Sequence, residues 1–71
     1  MAVQALQRVT GTIRAFHGSY GFITDDHTAD RDIYFHASRV RLGDNPEVGC
    51  RVSYCIQQDK RGLRAVAVEV L

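Results

Sequence analysis

The chain has 71 residues, of which 45% are hydrophobic and 24% are charged, and its formal net charge is +1. That length allows one small domain and excludes a two-domain enzyme, because folding at this size buries only about 60% of the surface that the unfolded chain exposes. The apolar fraction argues against disorder, and no apolar run approaches the ~18–20 residues that cross a bilayer, so no membrane partner is expected. Residues 1–7 lack the basic start and long apolar stretch of an export signal, which favours the cytoplasm.

Stretches rich in β-branched and aromatic residues alternate with turn residues along the chain, and this pattern is typical of short β-strands. The predicted strands span residues 8–16, 20–24, 32–36, 50–57 and 63–70. The best helical candidate, residues 37–41, is a single turn that ends before the Gly43-Asp44-Asn45-Pro46 cluster. The sequence therefore predicts an all-β domain over residues 8–71, preceded by an N-terminal extension over residues 1–7. Five short strands with no room for a second sheet predict a small closed or nearly closed barrel.

Alternation along each strand separates the side chains into two faces. The predicted core residues share apolar character and one parity: Ile13, Ile23, Ile33, Phe35, Val52, Tyr54, Ile56, Val66, Val68 and Val70. The opposite parity places Tyr20 and Phe22 outward on the second strand, and Tyr34 and His36 outward on the third. We call these four rings the aromatic face. Exposed rings contribute nothing to the stability of a monomer, so such a cluster normally marks a contact surface.

Nucleic-acid bases are partners that suit such a surface. Stacking of a base on an aromatic side chain is worth roughly 1–3 kcal/mol and needs no strongly basic groove, which agrees with the near-neutral charge. Gly21, between two of the rings, is expected to let a base or backbone approach closely. Arginines at the edge of the face are expected to meet phosphates. The predicted nucleic-acid-binding residues are Arg14, Phe16, Tyr20, Phe22, Tyr34, His36, Arg61 and Arg64.

An alternative interpretation places some of these rings in the barrel core. A β-bulge that shifts the alternation would turn Phe16 and Phe22 inward. Burial of Tyr34 together with His36 is the less favourable case, because each buried polar group would need a hydrogen-bond partner.

The remaining polar residues do not predict a catalytic or metal site. Cys50 and Cys55 lie five positions apart, about 16 Å along a strand and on opposite faces, so they are expected to be unpaired, as in a reducing compartment. The acidic segment over residues 24–32 lacks the glycine and terminal glutamate of a calcium loop, and the serines lack a general base. We expect no enzyme activity, no cofactor and no metal.

Three segments in order resemble the cold-shock domain family: GTIRAF at residues 11–16, YGFI at 20–23 and DIYFHAS at 32–38. The similarity continues into residues 48–49, 60–62 and 65–68, and thus covers nearly the whole chain. It implies a five-stranded antiparallel barrel of the oligonucleotide-binding class. The stacking positions that the resemblance implies are Phe16, Tyr20, Phe22, Tyr34 and His36, with the basic residue of the first strand at Arg14.

Two departures from the family pattern remove stacking rings. Ala15 stands where bacterial and Y-box members usually carry Trp, and Ala37 stands where an aromatic often follows the His. Only His17-Gly18-Ser19 separates the first two strands, which is similar to the Unr type of multi-domain RNA-binding protein. The resemblance implies one module of a larger post-transcriptional regulator, active in translation or mRNA stability, with single-stranded RNA or DNA and sister domains as partners. The competing hypothesis is a protein-interaction or spacer domain that has lost much of its nucleic-acid surface.

Overall fold

Residues 8–28 and 30–71 are described by the computed structural model, and they form five β-strands and one 3-10 helix. The strands are β1 (Val9–Phe16), β2 (Tyr20–Asp25), β3 (Asp32–His36), β4 (Arg51–Asp59) and β5 (Gly62–Val70). The 3-10 helix, η1 (Ala37–Arg39), replaces the predicted helical turn. Strand boundaries agree with the prediction to within two residues. The predicted extension over residues 1–7 lies outside the described residues.

The strands close into a barrel in the order β1-β2-β3-β5-β4. Four of the neighbouring pairs are antiparallel, whereas β3 and β5 pair in parallel. The prediction of a five-stranded barrel is confirmed, but the prediction of a purely antiparallel sheet is wrong. The reason is geometric, because a closed ring with an odd number of strands cannot alternate direction at every junction.

The interior is filled by apolar side chains from all five strands. Those at or below 1% exposure are Ile13, Ile23, Ile33, Phe35, Val52, Tyr54, Ala65 and Val68. Val66 was expected among them and is only partly buried, whereas its neighbour Ala65 points inward. The cause is a bulge in β5, where Ala67 has a positive φ of 52° and the pairing with β4 shifts between Ser53 and Cys55. An extra residue in one strand reverses the alternation beyond it.

Asp25 is a buried carboxylate at 4% exposure, at the end of β2. The Tyr54 hydroxyl donates a hydrogen bond to its Oδ1, and the backbone N–H groups of His27 and Thr28 donate to its Oδ2 at 2.9 and 3.2 Å. Burial opposes ionisation, but these donors outweigh it and hold the pKa of Asp25 below its usual 3.8. Burial, together with the adjacent carboxylate, raises the pKa of Tyr54. The pair thus fixes the start of the β2–β3 loop to the core.

Both cysteines are free thiols, as predicted. Cys55 is buried in β4, and the Arg8 guanidinium lies over it, with Nη1 3.8 Å from Sγ. Cys50 lies one residue before β4 and not within it. Among the described residues, no helix has the length and hydropathy needed to cross a bilayer.

Candidate nucleic-acid interface

The outer face of β2 and β3 carries the side chains of the aromatic face in a regular ladder. The register pairs Tyr20 with His36 and Phe22 with Tyr34, and it continues to Thr24 and Asp32 without a shift. Because the residues between them, such as Ile23 and Ile33, point into the core, the paired rings project from the opposite side of the sheet.

The rings contact one another and retain solvent-accessible surface. The Tyr20 and Tyr34 centroids lie 6.0 Å apart with planes 26° from parallel, whereas Phe22 meets both tyrosines edge-on at 6.1 Å. Tyr20 is 38% exposed, His36 is exposed, and the other two rings are partly buried. All four sequence-predicted rings are therefore brought together on one accessible surface.

His17 extends this surface, although the sequence pattern did not single it out. Its exposed ring lies 5.1 Å from that of Tyr20 at 38°. The backbone N–H of His17 donates to the Tyr20 carbonyl at 2.8 Å, closing the short turn between β1 and β2. The brevity of that turn, visible in the sequence, is the signal that could have indicated the contact.

His36 also caps η1. Its Nδ1 accepts a hydrogen bond from the Ser38 backbone N–H at 3.0 Å, and the Ser38 hydroxyl lies 2.9 Å from the same nitrogen. A nitrogen that accepts carries no proton, so the neutral ring holds its proton on Nε2. These hydrogen bonds fix the orientation of the His36 ring at the end of β3, where η1 begins.

Phe16 does not join the aromatic face, and its predicted outward parity is wrong. The β1–β2 register shifts between Ile13 and Ala15, so Phe16 pairs with Gly21 and its ring stacks on core Phe35 at 5.9 Å and 7°. Gly21 was expected to admit a ligand, but its missing side chain faces inward. A Cβ there would lie 2.8 Å from the Phe35 ring and in conflict with the Ala15 carbonyl.

Arg14 lies at one boundary of the aromatic face. Its guanidinium pairs with Asp32, with Nη2 2.7 Å from Oδ2. Asp32 lies two positions along the β2–β3 ladder from the pair formed by Phe22 and Tyr34. The Arg14 side chain is 60% exposed. An exposed ion pair of this kind contributes little to stability, at about 0–1 kcal/mol. A phosphate can therefore replace the Asp32 carboxylate as the partner of Arg14.

Arg61 and Arg64 lie on the other side of the face, around an open groove of about 450 Å³. We call it the arginine groove. One wall is formed by Tyr34, His36, Ser38 and Arg39, and the other by residues 61–64. Sequence reasoning missed Arg39, because a single charged residue in η1 carries no pattern. The groove shares two rings with the aromatic face, so the two form one continuous surface.

Comparison with known proteins identifies this arrangement. A family model described as the 'Cold-shock' DNA-binding domain matches residues 9–71. The chain belongs to the cold-shock domain family. This is a family of nucleic-acid-binding domains, and the match spans every strand of the barrel.

A solved structure described as drosophila Unr CSD456 shares the fold of this cold-shock domain. The two align with a TM-score of 0.75 at 18% sequence identity, over 93% of this chain and 27% of the Unr chain. The chain therefore spans about a quarter of the length of that relative. No curated protein sequence matches it significantly. The sequence-based similarity to the Unr type is confirmed at the level of the fold.

The two departures from the family pattern are visible at the surface of this cold-shock domain. Ala15 pairs with Phe22 across β1 and β2, beside the aromatic face, and Ala37 follows His36 at the start of η1. Neither methyl group can stack on a base. The face is thus narrower than the resemblance implies.

The acidic segment is used for structure within the described residues. Asp26 pairs with Arg51, with Oδ2 2.7 Å from Nη2, and hydrogen bonds from Arg51 and Thr10 lower the pKa of Asp26. Asp25 and Asp32 have the partners given above. Residues 8–28 and 30–71 contain no grouping of three His, Cys, Asp or Glu side chains suited to a metal ion.

Proposed function

We propose that this cold-shock domain binds single-stranded nucleic acid, RNA in particular, by stacking bases on the aromatic face, and that it has no catalytic role. The observation that carries the proposal is the ladder in which Tyr20, Phe22, Tyr34 and His36 meet on the outside of β2 and β3. The nucleic-acid chain would run across β2 and β3, with its phosphates held by arginines at the edges of the aromatic face.

The spacing of the rings favours a single strand over a duplex. Their centroids are 6.0–6.1 Å apart. Successive bases in a duplex stack at about 3.4 Å, and their edges are already paired. Only an unpaired strand can spread its bases to cover separate rings.

The preference for RNA and the regulatory role rest on resemblance to the Unr type. That resemblance supports a module acting in translation or mRNA stability, and the free thiols favour a reducing compartment such as the cytoplasm. Because Ala15 and Ala37 each remove a stack worth ~1–3 kcal/mol, we expect weak binding by the isolated domain, with sister domains adding affinity.

Ring substitutions test the proposal. Tyr34→Ala and Phe22→Ala should each weaken binding to a short RNA by ~1–3 kcal/mol, whereas Tyr34→Phe should retain most of the affinity because it keeps the π-face. Binding is measured by calorimetry, with the same sequence as DNA in parallel, and thermal melting confirms that each variant is folded. A folded Tyr34→Ala variant that binds as well as the parent would refute stacking.

The second candidate function is a protein-interaction or spacer domain. Ala15 and Ala37 favour it, because both remove rings from the surface that the family uses. It predicts that the parent chain binds neither RNA nor DNA, and that loss of the rings affects only association with a protein.

A further inference from the structure

Ser38 lies where the aromatic face meets the arginine groove, and it is exposed to solvent. It is the middle residue of η1, a single turn in which no residue is buried. The residues on either side of this turn, His36 and Val40, have extended backbone conformations. A modifying enzyme can therefore reach the Ser38 hydroxyl without opening the barrel core.

The surroundings of Ser38 are basic. Arg39 follows it directly and lines the same groove as Arg61 and Arg64. Among the described residues that line the groove, no side chain is a carboxylate. A phosphate group on a serine carries a charge of about −1.5 to −2 at pH 7 and forms charge-assisted hydrogen bonds when it lies opposite an arginine cluster. The groove is thus suited to hold a phosphate that is attached to Ser38 itself.

The Ser38 hydroxyl also takes part in the hydrogen bonding that orients His36. It lies 2.9 Å from the Nδ1 atom of the ring, and because that nitrogen accepts, the hydroxyl donates. Phosphorylation replaces the hydroxyl hydrogen with phosphorus, so this donor is lost. The ring nitrogen then keeps only the backbone N–H of Ser38 as a donor. A modification at Ser38 therefore changes the support of one ring of the aromatic face.

We propose that Ser38 is a phosphorylation site whose phosphate, held by the arginines of the groove, prevents nucleic-acid binding by the aromatic face; this inference rests on the proposed function. In the modification, Ser38 Oγ attacks the γ-phosphorus of a nucleoside triphosphate in the active site of a serine kinase. The Oγ–P bond forms, the bond from phosphorus to the bridging oxygen of the nucleoside diphosphate breaks, and the Oγ proton passes to the base of the kinase. Arg39 and Arg41, one and three positions after Ser38, suit a kinase with an acidic peptide site.

The attached phosphate opposes binding through competition and repulsion. It is held next to the guanidinium groups by a covalent bond, so it competes for them at a high effective concentration. It also adds negative charge beside Tyr34 and His36, where the nucleic acid has to lie. The phosphorylated chain should bind a short pyrimidine-rich RNA at least about tenfold more weakly than the unmodified chain at low salt.

Capture of the phosphate by the groove has a readout that does not involve RNA. The chain is produced with phosphoserine at position 38, and the phosphate is titrated by ³¹P NMR in the folded state and in concentrated urea. Arginines favour the dianion, so the second pKa of the phosphate, ordinarily about 6, should be lower in the folded chain than in urea. Arg39→Gln should reduce that difference. Equal pKa values in the folded and unfolded chains would overturn the proposal, as would loss of the fold on phosphorylation.

Access of a kinase to Ser38 is tested on the folded chain. A serine kinase that prefers arginine after the serine is applied to the chain and to a peptide of residues 34–42, and the modified position is mapped by mass spectrometry. We expect phosphate on Ser38 in both and none on that segment in the Ser38→Ala variant. Modification of the peptide without modification of Ser38 in the chain would show that the fold protects the hydroxyl, which would contradict the proposal.

RNA binding then separates this proposal from the function on which it rests. Calorimetry compares the unmodified chain, the chain with phosphoserine at position 38, and the latter after treatment with a phosphatase, which should restore the affinity. If the unmodified chain binds RNA and the phosphorylated chain binds it equally well, the proposal is wrong and stacking stands. If the unmodified chain binds no RNA, the proposed function itself fails, and the regulation that rests on it fails too.

Discussion

Tyr34 lies directly beside Arg64 in the register of β3 and β5, and this pairing places an aromatic and a basic residue at neighbouring positions of the sheet. The same row continues across β2 to Phe22 and across β1 to Ala15. One line across four strands thus runs from a methyl group through two rings to a guanidinium. Its composition agrees with the proposal that a chain with a net charge of +1 binds a polyanion mainly through its bases.

Ala15 limits the width of this row, so a ring introduced there should increase affinity. Ala15→Trp places an aromatic surface beside Phe22 and should strengthen RNA binding by ~1–3 kcal/mol. Ala15→Leu is the control, because it adds apolar surface without a π-face. Calorimetry with one short RNA checks the pair, and equal affinities of the Trp and Leu variants would contradict the prediction.

His36 combines two roles that substitution can separate. His36→Asn keeps a side-chain acceptor for the Ser38 backbone N–H and should leave the free energy of unfolding nearly unchanged. His36→Ala loses the cap as well and should lose about 1 kcal/mol of stability. Both variants should bind RNA more weakly, because neither retains the ring. Denaturation and binding experiments together test this, and full binding by the Asn variant would show that the ring is dispensable.

Tyr54 stabilises the buried Asp25 and is not part of the aromatic face. Tyr54→Phe leaves an oxygen of Asp25 without its donor and should lower the free energy of unfolding by ~1–3 kcal/mol. The folded fraction should bind RNA normally. Tyr20→Phe, which removes an exposed hydroxyl, serves as the control in urea denaturation. Equal stability of the two variants would contradict the role given to the Tyr54 hydroxyl.

Asp25 also predicts how stability depends on pH. Its pKa is lower in the folded chain than the usual 3.8, so its contribution is present above that value and is lost as the pH falls through the folded pKa. Denaturation between pH 7 and about pH 3 should show decreasing stability in the parent. Asp25→Asn should be less stable at pH 7, because the amide directs its NH2 group toward the donors that the carboxylate accepts from. It should lose less stability on acidification, because an amide is not protonated in this pH range. An unchanged pH profile in that variant would assign the effect to other carboxylates.

Much of this arrangement could be predicted from the sequence, and the exceptions have a physical cause. Strands β2 and β3 pair without a shift, so alternation placed Phe22, Tyr34 and their partners correctly. Strands β1 and β5 contain bulges, which leave no mark in a hydrophobic pattern. Alternation therefore assigned Phe16 and Val66 to the wrong face of the sheet. The position of Arg39 at the arginine groove results from the packing of η1 against β5. Local spacing in the sequence does not contain such a long-range contact.

The most direct test of stacking is an NMR titration of the chain with short pyrimidine-rich and purine-rich RNAs. We expect the signals of Tyr20, Phe22, Tyr34 and His36 to shift on addition of RNA, while those of Thr10 and Ser53, paired across β1 and β4, stay unchanged. Shifts concentrated around Thr10 and Ser53, or no shifts with RNA or DNA at high concentration, would contradict the assignment of the aromatic face as a nucleic-acid interface.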